Sequence, residues 1–235
     1  MPASRWIPLE SNPDASSILR NYLWLASIDQ FEDVYGLDQE LLDMVPQPVK
    51  ALVLLFPITP QSEARRKEED EQIAAKGAVS TDPTLIWIKQ TIPNACGTMG
   101  MIHALANSDV TLVPESPLAK FIEQCSSKTP EERATLLETT PLFASIHEGV
   151  ASTGQSAVPR NLDTDLHFTA FVRAPDVSGA GGSHQRIIEL DGRRSGPIDR
   201  GECKDFLADA VKVIKDIYIS ASQSVEFNIM ALCET

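Results

Sequence analysis

Residues 49–58 read VKALVLLFPI, and only Lys50 among them is charged. The run is too short to span a bilayer, which takes about 20 apolar residues. Its β-branched members favour an extended backbone, so the pattern predicts a central strand buried on both faces. A chain with such a strand must supply apolar cover on both sides. The other 225 or so residues contain enough: 43% of the 235 residues are hydrophobic, sufficient for one or two domains with a sizeable core.

The cover reads as alternating strands and helices. SNPDASSILRNYLWLA (11–26) predicts a first helix, with Ser11 or Asn12 as cap and Pro13 at its start. FEDVYG predicts a short strand and LDQELLDMVP a short helix stopped by proline. QSEARRKEEDEQIAAKG predicts a solvated charged helix, and TLIWIKQ a strand. SPLAKFIEQC, TPEERATLLET and PLFASIHEGVA read as helices, the second with a capping box formed by Thr129 and Glu132. The polar stretch STGQSAVPRNLDT is a loop, of a length that is usually functional or mobile. DLHFTAFVRA and QRIIELDG are strands of one hairpin, ECKDFLADAVKVIKDIYI an amphipathic helix, and VEFNIMALC a last strand. No repeat or composition shift marks a boundary. The reading is one α/β (α+β) domain over 1–235, a mostly antiparallel central sheet with helices on both faces.

The four cysteines at 96, 125, 203 and 233 include no close pair, so neither a zinc site nor a disulfide framework is suggested. MPASRWIPLE has no basic start followed by an apolar stretch, and is not read as a signal peptide. Together these features predict a soluble protein of a reducing compartment, the cytoplasm and also the nucleus. The net charge of −13 argues against nucleic acid and anionic membranes as partners and suits a basic one.

KQTIPNACGTMGMIHALA (89–106) carries the main chemical signal. Pro93 ends any strand, Asn94 is a good N-cap, and from Ala95 apolar residues recur at helical spacing. Cys96 therefore falls in the first turn of a helix, where unpaired N–H groups and the dipole favour a thiolate. A free cysteine is also a common small core residue, so the local pattern leaves both readings open. Position 102 is Ile where a tyrosine-phosphatase loop needs arginine, and no GxxxxGK[ST] or HExxH motif occurs. GAGG at 179–182 lies in a hairpin connection rather than between a strand and a helix.

The histidines divide. His103 lies on the helix of Cys96 and reads as a core or helix contact; His147 and His184 read as surface groups. His167 sits inside a strand directly after the long loop, and Asp191 closes the neighbouring strand. An antiparallel hairpin would bring that carboxylate to the imidazole, where it would hold the tautomer and support the cation. Gln90, six residues before Cys96, has an amide N–H suited to an oxyanion.

QTIPNACGTMGMIHALAN, DLHFTAFV and ELDGR resemble the active-site blocks of the ubiquitin carboxyl-terminal hydrolase family of papain-like cysteine proteases. The likeness continues through RWIPLESNP, FEDVYGLDQELLDMVP, LLFPIT, TPEER and FNIMAL, from about Arg5 to Leu232. The chain stops after the last expected strand, which suits the small branch typified by isozymes L1 and L3, and L3 more closely. The resemblance implies a papain-like α-β-α sandwich with a knotted backbone. It implies Cys96 as nucleophile, His167 as general base and acid, Asp191 as orienting group and Gln90 as oxyanion donor, with no metal or cofactor. It implies an active-site crossover loop at 151–163 that limits what can pass.

The resemblance further implies ubiquitin contacts from Ile7, Pro8, Leu9, Glu10, Ser11, Asn12 and Pro13, and from Asp33. Others come from Ser152, Thr153, Gly154, Gln155 and Ser156 in the loop, and from Ser224, Val225, Glu226, Phe227, Asn228 and Ile229. The expected activity is a deubiquitinating thiol hydrolase. It would act as a monomer on ubiquitin or a Nedd8-type modifier and release small or unstructured adducts through a Cys96 acyl-enzyme. The alternative is a ubiquitin-binding protein with little turnover.

Overall fold

The apolar run is strand β2 (Val49–Pro57), and both its faces are covered. Ala51 and Val53 point into one core, Leu52 and Leu54 into the other, and all four are fully buried. Each leucine contributes roughly 1.5–3 kcal/mol by leaving water. The computed structural model describes residues 6–11, 29–77, 81–152, 162–177, 184–220, 222 and 224–234, with the backbone alone for Lys76 and Ser152. The helix expected at 11–26 and the GAGG stretch lie outside these residues, apart from Ser11.

Among the described residues, β2 shares one six-stranded sheet with β1 (Asp29–Asp33), β3 (Leu166–Pro175), β4 (Gln185–Leu190), β5 (Ile198–Cys203) and β6 (Asn228–Glu234). The order is β1-β6-β2-β3-β4-β5, and every pair is antiparallel. Seven α-helices among the described residues flank it: α1 (Gln39–Leu42), α2 (Pro60–Lys76), α3 (Cys96–Ala106), α4 (Pro117–Cys125), α5 (Pro130–Thr139), α6 (Pro141–Ser152) and α7 (Phe206–Ile214). Helices α3 to α6 bury one face, through Met99, Ile102, Leu105 and Phe143. Helix α7 buries the other, through Leu207, Val211 and Ile214. The capping box of α5 forms as expected: the Thr129 hydroxyl accepts from the Glu132 N–H at 3.2 Å, and the Glu132 carboxylate accepts from the Thr129 N–H at 2.8 Å.

Three expectations need correction. The segment TLIWIKQ runs beside the sheet without joining it. Most of its backbone bonds go to side chains instead: the Ile86 N–H donates to Asn107 (2.6 Å), the Ile88 N–H to His103 (3.0 Å), and Arg133 donates to the Leu85 and Trp87 carbonyls. Apolar, β-branched composition gave it the look of a strand, but helices α3 and α5 satisfy it. Second, IDRGEC, whose Ile198–Gly201 had no assignment and whose Glu202 and Cys203 were expected in the helix that follows, is edge strand β5. Its pairing with β4 skips Arg200, and Gly201 takes a φ of +121°. This bulge turns Arg200 inward. Third, the amphipathic helix starts only at Phe206 and ends in a π-helical turn, Lys215–Ile219.

Helix α2 has no fully buried side chain among those described, and ion pairs dock it. Glu63 meets Arg193 (2.9 Å), Glu69 and Asp70 meet Arg194 (both 2.7 Å), and Glu69 also pairs with Arg200. Arg200 in turn meets the wholly buried Glu189 at 2.6 Å. Removing one partner of a buried pair strands the other charge. Arg200→Ala should therefore cost about 3–5 kcal/mol in urea unfolding. Lys204→Ala, whose 3.5 Å pair with Glu202 is solvent-exposed, should cost under about 1 kcal/mol. Equal small losses would show that Glu189 is not sustained by Arg200.

Candidate active site

The chain approaches Cys96 through a tight turn. Asn94 has a φ of 65°, a conformation that asparagine tolerates better than most residues. It does not cap the helix as its type suggested; Ala95 holds that position, with no side chain to offer. Asn94 Nδ2 instead donates to the carbonyls of Trp6 and Leu162, both at 2.9 Å. One amide thus ties the N-terminal segment and the approach to β3 to the turn before the cysteine. The uncapped helix start leaves N–H groups for the thiol, and the Gly97 N–H bonds it. Gly97 is needed for fit as well. A Cβ there would lie 3.0 Å from Leu9 and 3.3 Å from Phe168.

Cys96 is 8% exposed, as the core reading expected, yet its partners are polar. His167, near the start of β3, hydrogen-bonds its sulfur. His167 Nε2 lies 2.7 Å from Asp191 Oδ1, just past the end of β4, which leaves Nδ1 for the sulfur. Asp191 Oδ1 also accepts from the Arg193 N–H at 2.8 Å. Burial opposes charge on all three groups, and their mutual attraction outweighs it. The His167 hydrogen bond and charge, with the N–H groups of Phe168 and Gly97, hold the Cys96 thiol below its ordinary value. Despite burial, Asp191 and Cys96 lift His167 to about 10. Against the same penalty, His167 and the Arg193 N–H pull Asp191 down to about 2. Each group is thus biased toward its charged form: Cys96 toward thiolate, His167 toward imidazolium and Asp191 toward carboxylate.

Gln90 is half-buried, and its Nε2 donates to the Ile92 carbonyl at 3.3 Å. That carbonyl also accepts from Ala95 N–H, the residue before the cysteine. Gln90 Oε1 is buried and unpartnered among the described residues, a defect worth about 1–3 kcal/mol. The four expected catalytic positions are thus linked through one connected region.

The other histidines divide differently from the expectation. His103 is buried as expected, accepting from Ile88 N–H and donating from Nδ1 to the Leu190 carbonyl. His184 is exposed, also as expected. His147 is not a surface group. It is 2% exposed and its ring packs at a tilt against Trp6, with centroids 4.4 Å apart. Burial lowers it to about 4, so the ring is neutral at pH 7. Its Nε2 must donate to the Ile7 carbonyl at 2.6 Å, and Nδ1 then accepts from the Thr98 hydroxyl at 2.7 Å. It pins the N-terminal segment to the helix of Cys96. The signal was present in the spacing: Phe143, Ile146, His147 and Val150 form one buried face of α6.

The pinned segment borders the nucleophile. Ile7, Pro8, Leu9, Glu10 and Ser11 line a cleft of about 460 Å³ with Cys96, Leu55, Phe168 and Asn228. Ser11 donates to Asn228, which donates to Asp33 at 3.3 Å. Asp33, Phe227, Asn228 and Ile229 line a neighbouring surface hollow with the exposed Tyr35. Ser224 is half-buried, while Val225 and Glu226 are exposed just before β6. Asn12, Pro13, Thr153, Gly154, Gln155 and Ser156 lie outside the described residues, as does the side chain of Ser152.

A buried thiol whose ionisation is favoured by an imidazole that a carboxylate orients suits a cysteine hydrolase. Residues 6–218 match the family model described as ubiquitin carboxyl-terminal hydrolase, family 1. Ubiquitin carboxyl-terminal hydrolase 3 of Arabidopsis thaliana is 40% identical over 98% of this chain and 94% of its own length. Human ubiquitin carboxyl-terminal hydrolase isozyme L1 is 35% identical over 97% of each. The fold matches the Trichinella spiralis UCH37 catalytic domain bound to ubiquitin vinyl methyl ester, with a TM-score of 0.73 at 22% identity, over 99% of this chain and 96% of that one. The chain belongs to the ubiquitin carboxyl-terminal hydrolase family, as a cysteine-type ubiquitin hydrolase.

The charge distribution gives a pH dependence. A lowered Cys96 keeps the thiolate present below the usual thiol range, and a raised His167 keeps the imidazolium present above the usual histidine range. Iodoacetamide should therefore alkylate Cys96 with a much shallower pH dependence from pH 7 to 9 than an ordinary thiol of pKa about 8.5, whose thiolate fraction rises roughly 25-fold over that range. Asp191→Asn should restore the steep dependence. Cys125, Cys203 and Cys233 are buried and their thiols are pushed up by burial, so they should stay unlabelled in the folded protein. A rise of roughly 25-fold from pH 7 to 9 in the parent, the behaviour of an ordinary thiol, would contradict the ion pair.

Proposed function

We propose that this enzyme releases small or unstructured adducts from the C-terminal glycine of ubiquitin, or of a Nedd8-type modifier, through an acyl-enzyme on Cys96. The observation that carries this is the aligned Cys96–His167–Asp191 line beside the cleft walled by Ile7–Ser11 and Asn228. The thiolate attacks the glycine carbonyl carbon. Gln90 Nε2–H and a backbone N–H hold the oxyanion. The intermediate collapses to a thioester as His167 gives its proton to the leaving amine or thiol. Water, deprotonated by His167, then hydrolyses the thioester, releasing the modifier's C-terminal acid and restoring the Cys96 thiolate beside a protonated His167.

Ubiquitin as the partner is supported by the Trichinella neighbour, captured with ubiquitin vinyl methyl ester. The acidic balance and Asp33 suit the basic tail of that modifier. Preference for small adducts rests on the loop at 151–163, whose flanks are helix α6 and strand β3. A closed arch there would pass a thin tail and exclude a folded leaving group. We place the enzyme in the cytoplasm and nucleus, where free cysteines persist, working as a monomer that carries its whole site. An aligned line of three ionised groups speaks against a binding protein with little turnover.

A ubiquitin C-terminal electrophile should label one site per chain, lost in Cys96→Ala. That variant should keep ubiquitin binding and retain less than about a thousandth of parental turnover of a ubiquitin C-terminal fluorogenic amide. The parent should cleave the amide far faster than isopeptide-linked di-ubiquitin. Labelling of Cys96→Ala would remove the nucleophile assignment; equal rates on both substrates would remove the size limit.

A further inference from the structure

The segment that carries Gln90 lies against the turn that follows Asp191, and Gly192 is where they touch. The Gln90 N–H donates to the Gly192 carbonyl at 2.8 Å. Trp87 Nε1 donates to the Asp191 carbonyl at 3.0 Å, and Lys89 Nζ to the Arg194 carbonyl at 2.7 Å. Three bonds thus stitch four successive residues of one segment to four of the other. Between the stitches there is no room. A Cβ on Gly192 would stand 2.9 Å from Gln90 Cβ, 3.2 Å from Gln90 N and 3.2 Å from the Ile88 carbonyl. The first distance is below any normal carbon contact, and the other two are backbone atoms that cannot swing aside. Gly192 itself is buried.

We infer that Gly192 is a positioning residue that sets how far the Gln90 amide reaches toward the turn carrying Cys96. The contact locates Gln90 Cβ, and the side chain from there ends with Nε2 on the Ile92 carbonyl. That half of the amide is oriented at the expense of Oε1, which is left buried without a partner. Such a cost is expected where a donor is held for function rather than for stability. Because the same turn carries Asp191, one close approach places the oxyanion donor and the orienting carboxylate in a common frame. This inference rests on the reading of Gln90 as the oxyanion donor.

The test compares Gly192→Ala, Gln90→Ala, Gln90→Asn and the Gln90→Ala/Gly192→Ala pair on a ubiquitin C-terminal fluorogenic amide. Gln90→Ala should lower kcat by about a hundredfold or more, as loss of one oxyanion donor does elsewhere. Gly192→Ala should lower kcat by about tenfold or more with KM within about twofold, and the pair should be no slower than Gln90→Ala alone within about twofold. The pH profile of Cys96 alkylation, which needs no oxyanion donor, should be unchanged in Gly192→Ala. Gln90→Asn leaves the packing at Gly192 untouched and keeps an amide one carbon shorter; with no slack in the segment, it should be nearly as slow as Gln90→Ala. That variant decides the matter if Gly192→Ala does not fold. A parental rate in Gln90→Ala would sink the oxyanion assignment and this inference with it. A slow Gln90→Ala beside a parental Gly192→Ala or Gln90→Asn would sink the inference alone. A shifted alkylation profile in Gly192→Ala would assign its effect to Asp191 and likewise overturn the role proposed.

Discussion

The 2.7 Å contact between His167 and Asp191 is closed to water, with both side chains 3% exposed. Two charges so deeply buried are tolerated only when each satisfies the other and the leftover hydrogen-bonding capacity is used. The surroundings meet that condition. Asp191 Oδ1 takes a second bond from the Arg193 N–H, and the far ring nitrogen of His167 takes the sulfur of Cys96. The ladder between β3 and β4 ends at the Ala170–Leu190 pair, and the contact forms just beyond it, where the strands no longer share backbone bonds. The histidine and carboxylate extend the sheet by side chains at the end where the chain opens to the cleft.

The remaining architecture delivers the cysteine to this pair and holds its surroundings still. Helix α3 lies across the sheet, every residue from Cys96 to Leu105 buried, so the thiol cannot drift along its axis. Asn94 and His147 clamp the segment from Trp6 to Ile7 to the start of that helix. The cleft wall and the nucleophile consequently share anchors, and the wall is positioned before any partner arrives. On the opposite side, Tyr218 from the widened turn after α7 packs at a tilt against Phe56, whose ring meets His167 edge-on at 5.6 Å. Behind these, the seam of α2 with Arg193, Arg194 and Arg200 braces the turn that follows Asp191. The stability of that brace is electrostatic, in contrast to the apolar cores on both faces of the sheet.

Much of this was legible in sequence, where the signal was local. The run around Leu52 and Leu54 announced a doubly covered strand, Thr129 and Glu132 announced a helix start, and the spacing of DLHF and IIELD suggested that His167 would meet Asp191. What escaped was decided by distant partners. Residues 85–90 have strand composition, but His103 and Arg133 from helices and Asn107 at the end of α3 take most of their backbone groups. Strand β5 is polar and contains glycine because it is an edge whose bulge aims Arg200 inward, and neither fact follows from its own residues. His147 was misplaced because its polarity outweighed its position on the buried face of α6. Asn94 had the right type for a cap, yet the turn needed its positive φ and its amide more than the helix needed a cap. Gly192 could not be singled out until the approach of Gln90 was known.

The claim on which the site depends is that His167 is already an imidazolium, held by Asp191 and Cys96, in the resting enzyme. Ring nitrogen resonances of His167 measured by NMR in the ¹⁵N-labelled protein between pH 6 and 10.5 test it directly. Both ring nitrogens should carry protons at pH 7.5, and the ring should lose one only near 10. A His167 ring that is neutral at pH 7.5, with an ordinary titration near 6.5, would contradict it.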